Sequence, residues 1–212
     1  MITCRLAWQT PHRPMTSRST LRIGTRGSRL ARWQADWVAG QLSRLDIDIE
    51  LVLITTQGDV GEGPIENLGA QGVFTKEIQR ALLDERIDLA VHSLKDLPTD
   101  PVEGLSLAAV PARASVADVL LAKGGSSLEH LPAGCRVGTG SLRRQAQLLH
   151  ARPDLEVQPI RGNVETRISQ LDENQYGAIV LAEAGLVRLD LQHRISQVLP
   201  AQIVLPAVGQ GA

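Results

Sequence analysis

Short apolar runs alternate with stretches of helical spacing along most of this chain. Leu21 to Gly24 predicts a first strand, and Ile47 to Thr55, alternating and β-branched, predicts a second. Between them Leu30, Trp33, Trp37, Val38, Gln41 and Leu42 recur at helical spacing, which predicts a helix capped by Ser28 with both tryptophans in the core. Residues 57–72 hold five glycines and one proline and read as a long mobile loop. Phe74, Ile78, Ala81 and Leu82 mark the next helix, which leads to a buried strand from Ile87 to Val91. Further strands are expected at Leu105 to Val110, Val119 to Ala122, Arg136 to Gly138, Leu155 to Ile160 and Ala178 to Ala182. Helices are expected from Leu142 to about Ala151 and from Val164 to Asp172. Strands that alternate with helices imply an α/β class with largely parallel sheets.

The polar run Val91-His92-Ser93-Leu94-Lys95-Asp96-Leu97-Pro98 begins where the Ile87 to Val91 strand ends. Open α/β folds place ligands at such strand ends. Asp96 reads equally as a poised acid/base group or as a salt-bridge partner of Lys95 or a nearby arginine. His92 reads as structural. Three strand-to-helix junctions share one design: Gly24-Thr25-Arg26-Gly27-Ser28, Gly138-Thr139-Gly140-Ser141-Leu142-Arg143-Arg144, and Ile160-Arg161-Gly162-Asn163 with Arg167 one turn on. Each joins a glycine, a hydroxyl or amide at the helix start, and an arginine. Helix N-termini favour anions, so several such junctions together predict a site for a polycarboxylate or polyphosphate.

Composition sharpens this picture. Basic residues are 19 Arg to 3 Lys, and Arg makes forked bonds to carboxylates and phosphates. A formal net charge of −1 leaves no global polycation for nucleic acid. With aromatics at 2%, aliphatic side chains must fill the core. Cys4 and Cys135 show neither metal nor redox spacing and read as free thiols in a reducing, cytoplasmic setting. His12, His130, His150 and His193 form no ligand cluster, so no metal is expected. Neither a Walker motif nor G-x-G-x-x-G follows a strand, which disfavours nucleotides. No apolar run is long enough to span a membrane. Residues 1–20 carry Arg5, Arg13 and Arg18 and no acid. They read as a disordered leader, as sequence upstream of a start at Met15, or as a short targeting peptide.

Taken jointly, these segments resemble the porphobilinogen deaminase (hydroxymethylbilane synthase) family of tetrapyrrole biosynthesis. The matching pieces are Ile23 to Ser28, Val91 to Pro98, Val137 to Arg144, Arg161-Gly162-Asn163 with Thr166-Arg167, Ala184-Gly185-Leu186 with Arg188, and Pro206 to Ala212. The resemblance implies two domains like those of type II periplasmic binding proteins, with the ligand cleft between them. It sets domain 1 at residues 21–111 and domain 2 at 112–205, with 206–212 returning to domain 1. It implies head-to-tail condensation of four porphobilinogen molecules with ammonia release, on a dipyrromethane cofactor held by a cysteine thioether. It implies that Arg26, Arg143, Arg144, Arg161, Arg167 and Arg188 bind the carboxylates of substrate or cofactor, helped by Ser28, Ser93, Lys95, Thr139 and Ser141. Asp96 matches the catalytic aspartate, assisting ammonia loss and stabilising the positive charge that develops on the pyrroles, with Lys95 beside it. A cytoplasmic monomer is expected.

The family pattern also has a third, C-terminal domain with the cofactor cysteine in a Gly-Gly-Cys context, which this 212-residue sequence does not contain. Asn67 and Gln71 stand where lysines are common, and Gly140 where Ser is common. The competing expectation is therefore a two-domain carboxylate-binding module, or an inactive truncated paralogue, without turnover.

Overall fold

The structure is a computed structural model, and it describes residues 1–5, 20–56 and 75–212. The glycine-rich segment 57–72, with Asn67 and Gln71, Phe74 and the leader residues 6–19 lie outside the described residues. The chain forms two compact units, Met1–Ala112 with Ala212, and Arg113–Gly211.

The first unit is built on a five-stranded sheet of order β3-β2-β4-β1-β5. Its strands are β1 (Ile2–Arg5), β2 (Leu21–Thr25), β3 (Ile49–Leu53), β4 (Leu89–Val91) and β5 (Leu105–Ala109). β2 pairs in parallel with β3 and β4, whereas β1 runs antiparallel to both β4 and β5. Successive strand side chains point to opposite faces, and the core divides accordingly. Val91, Ile23, Ala35 and Val38 pack on the side of helix α1 (Arg29–Leu42), while Ala90, Ile78, Ala81, Leu82 and Ile87 pack on the side of helix α2 (Lys76–Leu83).

The second unit repeats the plan with the order β10-β6-β9-β7-β8. Here β6 is Asp118–Ala122, β7 Arg136–Gly138, β8 Glu156–Gln158, β9 Ala178–Ala182 and β10 Gln197–Leu199. β7 is parallel to β8 and β9, and β6 is antiparallel to β9 and β10. Helices α3 (Leu142–Ala151), α4 (Val164–Asp172) and α5 (Glu183–Arg188) flank this sheet. Leu120 and Val180 join Leu148 in one core cluster, and Val119, Leu121, Ile179 and Leu181 join Ile168 in the other. β6 and β9 carry apolar residues on both faces because both faces are covered, which is why they read as continuous apolar runs.

Several expectations change. Each sheet is mixed, with one antiparallel strand. Ile2–Arg5 pairs as a strand rather than belonging to a leader, and β10 carried no signal in the sequence reading. Trp33 and Trp37 are 38% and 42% exposed, because α1 turns Gln34, Ala35 and Val38 to the sheet and the tryptophans lie to one side of that stripe. Of the tail 206–212, Ala212 groups with the first unit and residues 206–211 with the second. Gly211 holds them there: its carbonyl accepts from the Ala114 N–H at 2.9 Å and from Arg188 Nη2 at 3.1 Å.

Candidate functional site

Parallel strands end at the same edge of a sheet, so the residues that follow them gather there. In the first unit β2 and β4 deliver Thr25 to Ser28 and His92 to Asp96. Ser28 caps α1, its Oγ accepting from the Ala31 N–H at 3.3 Å. The buried Thr25 hydroxyl donates to the Ala31 carbonyl at 3.1 Å and ties the strand end to the first turn. Beyond β4, Leu94–Asp96 forms one turn of 3-10 helix in which the Asp96 N–H donates to the Ser93 carbonyl at 3.0 Å. Lys95 and Asp96 are both exposed on that turn. Ser93 is held by a residue the sequence reading passed over. Gln34 is buried on α1, and its amide exchanges hydrogen bonds with Ser93 Oγ at 3.1 and 3.2 Å. A buried polar residue inside an apolar helical stripe was the available signal.

His92 is buried, and its Nε2 has no hydrogen-bond partner. Burial disfavours the imidazolium, and the Met1 ammonium and Arg26 add repulsion, so its pKa falls to about 4. The ring is neutral at pH 7. β2 and β4 pair directly, through Ile23↔Leu89 and Gly24↔Ala90, so the two strand ends adjoin.

In the second unit β7, β8 and β9 deliver the other arginines. Thr139 is buried, its N–H donating to the Gln158 carbonyl at 3.0 Å, and its Oγ1 accepts from the Ser141 N–H at 3.3 Å. Ser141 caps α3 through the Arg144 N–H, and Asn163 caps α4 through the Thr166 N–H at 2.8 Å. Gly140 brings the two junctions together: a Cβ there would stand 3.0 Å from the Ile160 carbonyl oxygen and 3.8 Å from both terminal nitrogens of Arg167. Arg167 Nε donates to the Gly162 carbonyl at 2.8 Å. Arg161 is half-buried, and its Nη2 is enclosed without a hydrogen-bond partner. Arg188 is also half-buried, and burial lowers its pKa.

Arg143 and Arg144 are not equivalent, and the residue that separates them was missing from the sequence reading. Asp118, fully buried at the start of β6, takes Arg144 Nη2 on Oδ1 and Arg143 Nη2 on Oδ2, both at 2.7 Å. Burial opposes its ionisation, but the hydrogen bonds and charges of Arg144 and Arg143 outweigh that and hold the carboxyl below the usual range. Arg144 is 6% exposed and also donates to the Val180 carbonyl at 3.2 Å. Its guanidinium fixes α3 against β6 and β9. Arg143, with 27% of its side chain exposed, also reaches the Leu205 carbonyl. The acid that opens the otherwise apolar β6 was the sequence signal for this anchor.

Such an edge offers forked donors, capping hydroxyls and helix N-termini to a ligand with several carboxylates. Residues 21–212 match the family model described as porphobilinogen deaminase, dipyromethane cofactor binding domain. Porphobilinogen deaminase of Syntrophotalea carbinolica is 52% identical over 199 residues, covering 92% of this chain and 63% of the relative. That of Pelobacter propionicus is 50% identical over 195 residues, covering 91% and 63%. The chain thus spans about 63% of the length of the curated relatives it matches. Among solved structures, a Bacillus subtilis lipoprotein described as a candidate methionine-binding protein aligns with TM-score 0.50 at 12% identity, over 89% of this chain and 81% of its own. That likeness bears on fold alone, the two-unit α/β fold of type II periplasmic binding proteins. Among the described residues no helix is long and apolar enough to cross a membrane. With strand ends, arginines and sequence in agreement, this chain belongs to the porphobilinogen deaminase family.

Proposed function

We propose that this chain supplies the substrate-binding and catalytic residues of a hydroxymethylbilane synthase, which joins four porphobilinogen molecules head to tail and releases ammonia at each step. The observation that carries the reading is the enclosed, unpartnered Nη2 of Arg161. A buried donor without a partner costs about 1–3 kcal/mol, more when charged, and a ligand carboxylate removes that cost. The donor set fits a dipyrromethane cofactor, whose acidic side chains need several cations. Arg161, Arg167, Arg188 and Arg143 would hold it, with Thr139 and Ser141 adding hydrogen bonds. When bound, the cofactor supplies the pyrrole on which the chain grows. Arg144 serves indirectly, by keeping Asp118 and α3 in place.

In the first unit Arg26 and Ser28 orient incoming carboxylates, and Asp96 acts on the substrate. An ionised Asp96 stabilises the positive charge left as ammonia departs and can take part in proton transfer. Lys95, on the same turn, adds a cation for acidic side chains. A cytoplasmic monomer is the expected state.

The test is titration of the 212-residue chain with porphobilinogen, alongside ammonia release. Asp96→Asn should bind normally and release ammonia about 10²–10³-fold more slowly. Arg161→Met should weaken binding about tenfold or more. Near-normal release by Asp96→Asn would sink the catalytic assignment. A second reading, a carboxylate-binding module without turnover, rests on the same arginine-lined edge; it predicts saturable binding with no ammonia release.

A further inference from the structure

Past β8 the backbone leaves the sheet ladder and runs through Pro159, Ile160, Arg161 and Gly162 into α4. The carbonyl of Gln158, the last residue of β8, still accepts from the Thr139 N–H at 3.0 Å. Beyond it side chains take over, since backbone acceptors outside a ladder need other partners. The Pro159 carbonyl accepts from the Tyr176 hydroxyl at 2.7 Å, the Arg161 carbonyl from Gln170 Nε2 at 3.1 Å, and the Gly162 carbonyl from Arg167 Nε at 2.8 Å. Gln170 and Arg167 belong to α4, which Arg161 leads into, so their bonds are local to that junction. Tyr176 comes from elsewhere. It precedes β9, and its neighbour Gly177 is pinned to β7 by an N–H bond to the Arg136 carbonyl at 2.9 Å.

β7 lies between β8 and β9 in the sheet. A side chain that starts beside β9 and ends on Pro159 must cross β7, and it does so at Gly138. A Cβ on Gly138 would stand 3.0 and 3.1 Å from two ring carbons of Tyr176 and 3.1 Å from Ile160 Cδ1. The ring thus occupies the space that a side chain at Gly138 would need, and it packs with Ile160 against the cluster of Ile168, Leu171 and Ile179. Gly138 leads directly into Thr139, and Ile160 directly into Arg161. The ring therefore touches the last residue before each arm of the anion-binding edge. A phenol suits this span, because it is a rigid body on two torsions with a donor at its far end.

We propose that Tyr176 is a positioning residue for the anion site: its ring sets the separation of the β7 and β8 ends, and its hydroxyl holds the backbone on which Arg161 is mounted. The proposal rests on the reading of Arg161 as a donor to ligand carboxylates. Among the described residues no hydrogen bond fixes Arg161 Nη2, so its aim depends on the backbone that carries it. A shift of about 1 Å in a ligand-orienting group costs on the order of 100-fold in function. Tyr176 itself touches neither ligand nor reacting atoms in this scheme. It acts through Arg161 and Thr139.

The test uses the 212-residue chain with three substitutions made separately. Tyr176→Phe removes only the hydroxyl, Tyr176→Leu removes the ring, and Leu148→Ala opens the other core cluster of the same unit. Phenylglyoxal modifies accessible arginines, and its rate at Arg161, relative to exposed Arg136, is read by mass spectrometry of a Glu-C digest. Arg161 should label about two- to tenfold faster in Tyr176→Phe, the span of one lost neutral hydrogen bond. It should label faster still in Tyr176→Leu, and at the parent rate in Leu148→Ala. An unchanged rate in Tyr176→Phe overturns the proposal, as does equal acceleration by Leu148→Ala, which would mark a general loosening of the unit. Porphobilinogen affinity gives the second measure. Tyr176→Phe should weaken it by the same factor in the parent and by nothing in an Arg161→Met background, because the two residues act as one. Equal losses in both backgrounds overturn the proposal. A parent chain that takes up no porphobilinogen would sink the substrate reading instead, and the labelling rates would still decide the role of Tyr176.

Discussion

Asp118→Asn offers the sharpest measure of what holds the arginine edge in place. The substitution removes the negative charge between two guanidinium groups at 2.7 Å while keeping the side chain's shape. Arg144 then remains with 8% of its side chain exposed and no counter-charge. Breaking a buried ion pair from one side costs about 3–5 kcal/mol, because the orphaned charge has lost its solvation. For a chain of this size each kcal/mol moves Tm by about 2–4 °C, so the expected drop is roughly 6–20 °C. The matched control is Asp172→Asn, which breaks the 2.5 Å pair with Arg194 at a site where the two side chains are 32% and 55% exposed. Exposed pairs contribute about 0–1 kcal/mol. Urea unfolding followed by far-UV circular dichroism measures both. Equal small losses for the two variants would refute the view that Asp118 anchors the edge. Acid should act as the substitution does: the folded-state pKa is depressed, so its contribution is present above the ordinary carboxylate range and is lost as pH falls through the folded value.

Two further predictions concern single residues. His92, with its pKa near 4 in the fold and about 6.5 when unfolded, binds its proton more readily in the unfolded chain. Its contribution is therefore full above pH 6.5 and declines towards pH 4, by at most about 3 kcal/mol. His92→Gln should flatten that slope, and an unchanged slope in urea unfolding between pH 4 and 7 would count against it. Gly162 has φ +102°, and a Cβ there would lie 2.5 Å from Thr166 Cγ2. Gly162→Ala should thus cost about 1–3 kcal/mol and weaken porphobilinogen binding with it, since Arg167 bonds the Gly162 carbonyl; unaltered stability and affinity would show that the junction tolerates a side chain.

Local periodicity was enough to locate most elements, because period and capping chemistry are written in neighbouring residues. Arg136–Gly138, Leu142–Ala151, Val164–Asp172 and Ala178–Ala182 appear as expected from the pattern, and Ser28, Ser141 and Asn163 cap the helices they precede. The arginine-bearing junctions were legible for the same reason. Pairing partners were not. Asp118 lies far along the chain from Arg143 and Arg144, and only the neighbouring strands bring them together. Gln34 meets Ser93 because α1 lies across β4. The direction of β6 depends on which strand it meets, not on its own apolar run. Trp33 and Trp37 fit a helical stripe in sequence, yet the sheet selects a slightly rotated face and leaves them exposed. Ile2–Arg5 is too short to announce a strand, and becomes one because β4 and β5 leave two rows of backbone groups that require partners.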